Sequence, residues 1–134
     1  MQTFTVLTER PSQLVDITRE VADAVAAAGA SGSAVLVYVP HTTAGVTINE
    51  HADPMVARDF EMALERIVPG DWGWQHIEEG EENAPTHIRA AFMGPSVLVP
   101  LGEDRKLALG TWQGIFFCEF DGPRTRSVHV SVLA

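Results

Sequence analysis

Three histidines, His41, His76 and His87, are the residues of this chain best suited to chemistry. His41 lies in VYVPHTTAGVTINE, and the other two lie in WQHIEEGEENAPTHIRA. Neutral imidazole is the commonest metal ligand among side chains. Three imidazoles with one position left open make the ligand count of a catalytic zinc site. Spacing alone does not select that chemistry. His76 and His87 are eleven residues apart, His41 lies thirty-five residues before His76, and neither a zinc-finger pattern nor HExxH is present. Polar surface or loop-packing histidines fit the spacing equally well. His51 and His129 are weaker candidates. His51 precedes a helix start, and His129 sits between valines and shares an outward face with Ser131.

Several polar residues flank these histidines. Thr42 and Thr43 open a run of small residues whose amides and hydroxyls could hold an anion, or which is simply a tight loop. Glu50 is in phase with Val46 and Ile48. A carboxylate aimed inward there needs a partner or a raised pKa, the conditions of a general base; the alternative is a strand-end carboxylate in water. Asn49 precedes it, and Asp53, followed by Pro54, reads first as a helix cap. Among the acidic residues 78–82, Glu79 or Glu82 could orient a ligating imidazole, although such runs are usually solvated. In Gly110-Thr111-Trp112-Gln113-Gly114, two glycines flank a bulky aromatic at a strand start, which permits close backbone approach. Gln113 and Glu119 fall on one face of the strand that follows and require partners. Cys118, with no base beside it, reads as an inert buried thiol.

The elements that must position these groups follow from periodicity. Gln2 to Thr8 reads as a strand. A helix is expected from Pro11-Ser12, with Ser12 as its cap, Leu14, Ile17, Val21, Ala24, Val25 and Ala28 on one face, and Gly29 as its stop. Ser33 to Val39 is apolar on both faces, as in a central strand that ends at Pro40. Gly45 to Glu50 is a short strand. A helix from Asp53-Pro54 to about Val68 turns Val56, Phe60, Ala63, Leu64 and Ile67 inward. Asn83 caps a third helix over 84–93. The last forty residues read as strands: Ser96 to Leu101, Lys106 to Leu109, Trp112 to Phe120, and Thr125 to Leu133. The Trp112 strand is apolar on both faces. It needs cover from a helix layer or another subunit, and a symmetric oligomer is the simpler supply. Strands and helices do not alternate strictly, so an α+β fold is expected: a compact mixed sheet or sandwich with about three helices.

Length and composition bound the function. A chain of 134 residues fits one domain, spanning 1–134, and buries about two-thirds of its unfolded surface. Nine Lys and Arg against eighteen acids give a net charge of −9. That balance argues against nucleic acid and against anionic membranes. No apolar run is long enough to span a bilayer, no signal peptide is evident, and the single cysteine suits a reducing cytoplasm.

The segments HTTAGVTINEHADP, HIEEGEENAPTHIRA and LALGTWQGIFFCEFDGPR together resemble the YjbQ family, often labelled secondary thiamine-phosphate synthase enzymes. The likeness runs through essentially the whole chain in order, and GTWQG is close to the family signature. It implies a compact α+β fold, a homotrimer, and a metal-binding trio of His41, His76 and His87 near a subunit boundary. Asn49, Glu50, Asp53, Thr111, Gln113 and Glu119 also match the family's recurring polar positions. Where this chain has His51 the family usually carries asparagine, and His129 is outside the pattern. The implied reaction joins hydroxymethylpyrimidine diphosphate to a thiazole phosphate and releases diphosphate. The resulting expectation is a metal-dependent enzyme acting on a small phosphorylated metabolite. Zinc is favoured, or magnesium with a diphosphate. Glu50 or Glu119 would serve as catalytic carboxylate, and Thr42, Thr43, Asn49, Asp53, Thr111 and Gln113 would hold substrate. Metal-assisted phosphoester hydrolysis and a non-catalytic metal- or metabolite-binding trimer are the alternatives.

Overall fold

The computed structural model of the chain describes residues 1–29, 31–77 and 83–134. Its elements run β1 (Gln2–Leu7), β2 (Gln13–Asp16), α1 (Thr18–Ala28), β3 (Ala34–Tyr38), β4 (Ala44–Glu50), α2 (Pro54–Ile67), α3 (Asn83–Met93), β5 (Ser96–Pro100), β6 (Gln113–Glu119) and β7 (Thr125–Leu133). Two antiparallel sheets form, one of order β1-β7-β3-β5 and one of order β2-β6-β4. The expected α+β architecture with three helices is therefore present. No described helix is long and apolar enough to cross a membrane.

The main core lies between the sheets. Val35, Val37, Val128 and Val130 from the first meet Val46, Ile115 and Phe117 from the second, and Val21 and Val25 of α1 close the remaining gap. A smaller core joins Leu14, Phe116, Cys118 and Phe120 to Leu64 of α2 and Ala90 of α3. Helices α2 and α3 thus cover the outer face of the β2-β6-β4 sheet. The cover that β6 needs comes from within the chain, not from a second copy, because the helices fall on the face that Phe116 and Cys118 share. Trp112 stands outside β6 and is exposed.

Four local expectations change. Gln13 to Asp16 pairs with β6, Leu14 opposite Cys118, instead of opening a helix. Its apolar residues satisfy both periods, and the free edge of β6 decides between them. The helix starts at Thr18, where Asp16 Oδ1 accepts from the Thr18 amide at 3.0 Å and from its hydroxyl at 2.6 Å. Lys106 to Leu109 contributes one isolated bridge, Leu101 to Leu107, and no strand. In α2, Ile67 is exposed while Glu61 is buried, its Oε1 lying 2.8 Å from Arg10 Nη2.

Asp53 caps α2 as expected, accepting from the Met55 amide at 2.9 Å. Arg89 of α3 ties the two helices together by donating to the Val68 carbonyl at the C-terminal end of α2. Gly45 sets how closely α3 approaches β4. A Cβ at that position would meet the Gly94 carbonyl oxygen at 2.7 Å and Met93 Cβ at 2.9 Å. This close approach brings His87, on α3, over the β3–β4 connection.

Candidate functional site

His41 leaves β3 just after Pro40, which has no amide hydrogen to extend the ladder. Its Nε2 accepts the Ser127 amide of β7 at 3.0 Å. The proton of the neutral ring is therefore on Nδ1. Burial, followed by the nearby Arg126 charge, lowers the proton affinity of His41 below the ordinary histidine value. His87 has an acceptor at each ring nitrogen: Thr42 O at 3.2 Å from Nδ1 and Asn83 Oδ1 at 3.0 Å from Nε2. A neutral imidazole carries one N–H, so it satisfies one of these acceptors at a time. His76 Nε2 lies 2.9 Å from the same Asn83 Oδ1. The two rings meet edge to face with centroids 5.2 Å apart.

The end of β6, the start of β7 and the turn between them supply the charges. Glu119 is fully buried and Arg126 nearly so. The guanidinium Nε donates to both Glu119 oxygens, at 2.9 and 3.1 Å, and Nη2 bonds Glu119 Oε2 and, at 2.8 Å, the Thr43 hydroxyl. Thr8 Oγ1 donates to Glu119 at 2.7 Å, and the amides of Phe120 and Asp121 donate at 3.1 and 3.2 Å. Burial opposes charge on Glu119, but the Arg126 and Thr8 hydrogen bonds and the Arg126 charge outweigh it and hold the carboxyl below the ordinary glutamate value. Asp121 accepts from Arg124 Nη2 at 2.8 Å and from Asn83 Nδ2 at 3.3 Å. These groups enclose a polar cavity of about 630 Å³ whose walls include His41, Thr42, Thr43, His87, Asp121, Arg124 and Arg126.

The fit to a shared metal ion is partial. His76 and His87 direct their Nε2 atoms at one oxygen, whereas His41 is turned to Ser127. As placed, the three rings do not offer three free nitrogens to one point. Among the described residues no group of three His, Cys, Asp or Glu side chains is arranged to hold a metal.

The model of the family described as UPF0047 protein YjbQ-like matches residues 2–134. The chain belongs to the YjbQ family. Among its relatives, YugU of Bacillus subtilis is 41% identical over 135 residues, covering 99% of this chain and 98% of its own length. A UPF0047 protein of Archaeoglobus fulgidus is 43% identical over 130 residues, covering 97% and 98%. A crystal structure of an uncharacterized conserved YjbQ/UPF0047 family protein from Clostridium acetobutylicum superposes with a TM-score of 0.92 at 44% identity, covering 99% of this chain and all of that one. A hypothetical protein from Aeropyrum pernix K1 gives a TM-score of 0.91 at 38% identity, covering 99% and 97%. A YjbQ fold does not by itself specify a reaction, so chemistry has to come from the residues lining the cavity.

In this YjbQ chain the residues expected to act together fall into two groups. His41, Thr42, Thr43 and His87 line the cavity, with His76 beside His87. Glu119 stands behind it with its oxygens fully engaged, a geometry that suits positioning Arg126 and the Asp121 backbone more than moving a proton. Asn49, Glu50, Thr111 and Gln113 lie at the opposite end of the β4–β6 pair, where Glu50 is opposite Gln113. Six residues of strand separate that end from Ala44, about 20 Å at ~3.3 Å per residue. Asp53 is occupied as the α2 cap. His51 also belongs to the far group, with Nδ1 2.8 Å from Asp16 Oδ2. Glu79 and Glu82 lie outside the described residues. Asp121, Arg124 and Arg126 carry no site assignment in the sequence reading, and Asn83 enters it only as a helix cap. The motif FDGPRTR does carry a signal, an acid and two arginines within six residues of a buried strand's end.

Proposed function

We propose that this YjbQ-family protein is an enzyme that binds a small phosphorylated metabolite in the cavity between His41, His87 and Arg124. The observation that carries the reading is the cavity lining: two guanidiniums, two imidazoles and two threonines against one carboxylate, Asp121, in a chain whose net charge is −9. Cations concentrated against the global field mark a local anion site. Guanidinium groups match phosphate oxygens with paired donors. His41, fixed as an Nδ1–H donor, and the arginines would stabilise charge developing on a departing phosphate or diphosphate. Stabilisation of that kind usually supplies most of the rate acceleration in such reactions. His87, with an acceptor at each nitrogen, is suited to carry a proton from one side of the ring to the other.

A divalent ion, zinc favoured or magnesium with a diphosphate substrate, enters this reading from the family resemblance. It needs His41 to release Ser127 and His87 to release either Thr42 or Asn83, while His76 could keep Asn83 on Nε2–H. The finer activity, condensation of hydroxymethylpyrimidine diphosphate with a thiazole phosphate, rests on the same resemblance. Phosphoester hydrolysis is the second reading, and a non-catalytic binding trimer the third.

The implied homotrimer has a suitable surface. On the outer face of the β1-β7-β3-β5 sheet, Leu7, Leu36, Tyr38, Leu98 and Leu133 stand among Thr3, Thr5, Ser96, Ser127, His129 and Ser131, with no Asp, Glu, Lys or Arg. An uncharged sheet face on so acidic a chain favours contact with another copy.

Replacing His41, His76 and His87 together with alanine is the test. Condensation should fall at least a hundredfold while the circular dichroism spectrum is retained. An unchanged rate would reject the assignment. Release of inorganic phosphate without the thiazole substrate would favour hydrolysis. Tight binding without turnover across a panel of phosphorylated compounds would favour the binding reading.

A further inference from the structure

Asn83 stands between the cation-rich cavity and two of the histidines. It begins α3 and is buried. Its Nδ2 donates to Asp121 Oδ2 at 3.3 Å, and the same carboxylate oxygen accepts from Arg124 Nη2 at 2.8 Å. On the other side, Asn83 Oδ1 lies 2.9 Å from His76 Nε2 and 3.0 Å from His87 Nε2. An amide has a donor end and an acceptor end, and its partners decide which end faces which neighbour. Turned over, Asn83 would set its oxygen against the Asp121 carboxylate with no proton between them. The Arg124–Asp121 ion pair thus fixes the amide, and the fixed amide presents an acceptor to both rings.

An acceptor opposite Nε2 requires an N–H there. At His87 a second acceptor competes, the Thr42 carbonyl 3.2 Å from Nδ1. A neutral ring satisfies one of the two, and the other contact then sets two lone pairs against each other. The Asn83 contact is the shorter, so the proton goes to Nε2. The bare nitrogen is then Nδ1, on the side of Thr42, which lines the cavity with His87. We propose that Asn83 is a positioning residue of the site: held by the Arg124–Asp121 pair, it assigns the His87 proton to Nε2 and leaves Nδ1 as the nitrogen that accepts a proton from the bound ligand. The inference rests on the reading of His87 as a proton carrier and deepens it by naming the nitrogen that acts and the group that selects it. Such control has large effects. In serine proteases, changing the acid that sets the tautomer of the active histidine to an amide lowers kcat about 10⁴-fold.

The test reads the tautomer directly. Long-range ¹H–¹⁵N NMR on the full chain distinguishes protonated from bare ring nitrogens, at about pH 8.5, well above the ordinary histidine value of ~6.5. A chelator keeps stray metal ions off the rings, and His87→Gln identifies the His87 signals. In the wild type His87 should be protonated at Nε2. Asn83→Leu, close in shape but without an acceptor, should send the proton to Nδ1 and the Thr42 carbonyl, so that the two His87 nitrogen signals exchange positions. Asp121→Ala should give the same exchange in part, with Asn83 and both rings unaltered, because the amide is then free to turn over. A residue that merely fills space would leave the tautomer alone in both variants. A wild-type His87 protonated at Nδ1 would overturn the assignment, and so would an Nε2–H that persists in both variants. Exchange in Asn83→Leu with none in Asp121→Ala would overturn control by the ion pair. If Asn83→Leu fails to fold, Asp121→Ala decides alone. No ligand enters the measurement, so the assignment can fail while inorganic phosphate still binds, and loss of phosphate binding would strike the phosphate reading without moving the tautomer.

Discussion

Glu119→Gln is expected to destabilise the fold by about 3–5 kcal/mol, read as a drop in the urea midpoint, because it leaves the Arg126 guanidinium buried without its counter-charge. Both side chains are almost inaccessible to water. The carboxylate also gathers Thr8 and the amides of Phe120 and Asp121, so a single change disturbs the whole β6–β7 turn. Replacing both partners, Glu119→Met with Arg126→Met, should recover much of the loss, since a well-packed apolar pair often equals a buried ion pair in stability. That double variant should still fail to bind phosphate, which separates the structural part of the pair from its part in the cavity. The pH dependence has a definite sign. The unfolded chain takes up its proton near the ordinary glutamate value of about 4.3, and the folded carboxyl does so only at lower pH. The contribution of Glu119 is complete above that value and is lost as pH falls through the folded one. The stability difference between the wild type and Glu119→Gln should therefore shrink on acidification. A difference that widens toward pH 3 would contradict the assignment.

The second large effect concerns Arg124 and the carboxylate that restrains it. Arg124→Ala is expected to weaken binding of inorganic phosphate about tenfold, while Asp121→Asn should strengthen it. Arg124 Nη2 is held 2.8 Å from Asp121 Oδ2, so an incoming phosphate competes with an anion already in place. Neutralising Asp121 removes the competitor and the repulsion together. Isothermal titration with phosphate measures both. Weakening by Asp121→Asn would mean that the carboxylate organises the cavity more than it competes within it.

Much of the fold was legible because its signals are local. The Asp53-Pro54 cap, the valine alternation of β7 and Gly29 as the α1 stop each act within a few residues, and Gly29 adopts the left-handed conformation at φ 61. The failures are non-local. Gln13 to Asp16 is a strand because the edge of β6 is available to it. Glu61 is buried on α2 with Arg10, fifty-one residues earlier, reaching across to it. The same division runs through the site. His41 and His87, expected to act together, line one cavity. Asp121, Arg124 and Arg126 were missed, since their importance depends on the turn after β6 returning beside the β3–β4 connection. Glu50 and Gln113 were placed with the histidines, but strand length keeps them about 20 Å away.

The lone thiol of the chain has a practical consequence. Cys118 is sealed between the β2-β6-β4 sheet and α2, and burial raises its thiol far above the ordinary cysteine value. Oxidants and alkylating reagents require thiolate and access, and the native state supplies neither. Reaction at this atom is therefore gated by opening of the α2 layer. A mass-tagging time course on the untreated protein becomes a clock for that opening, with no engineered label.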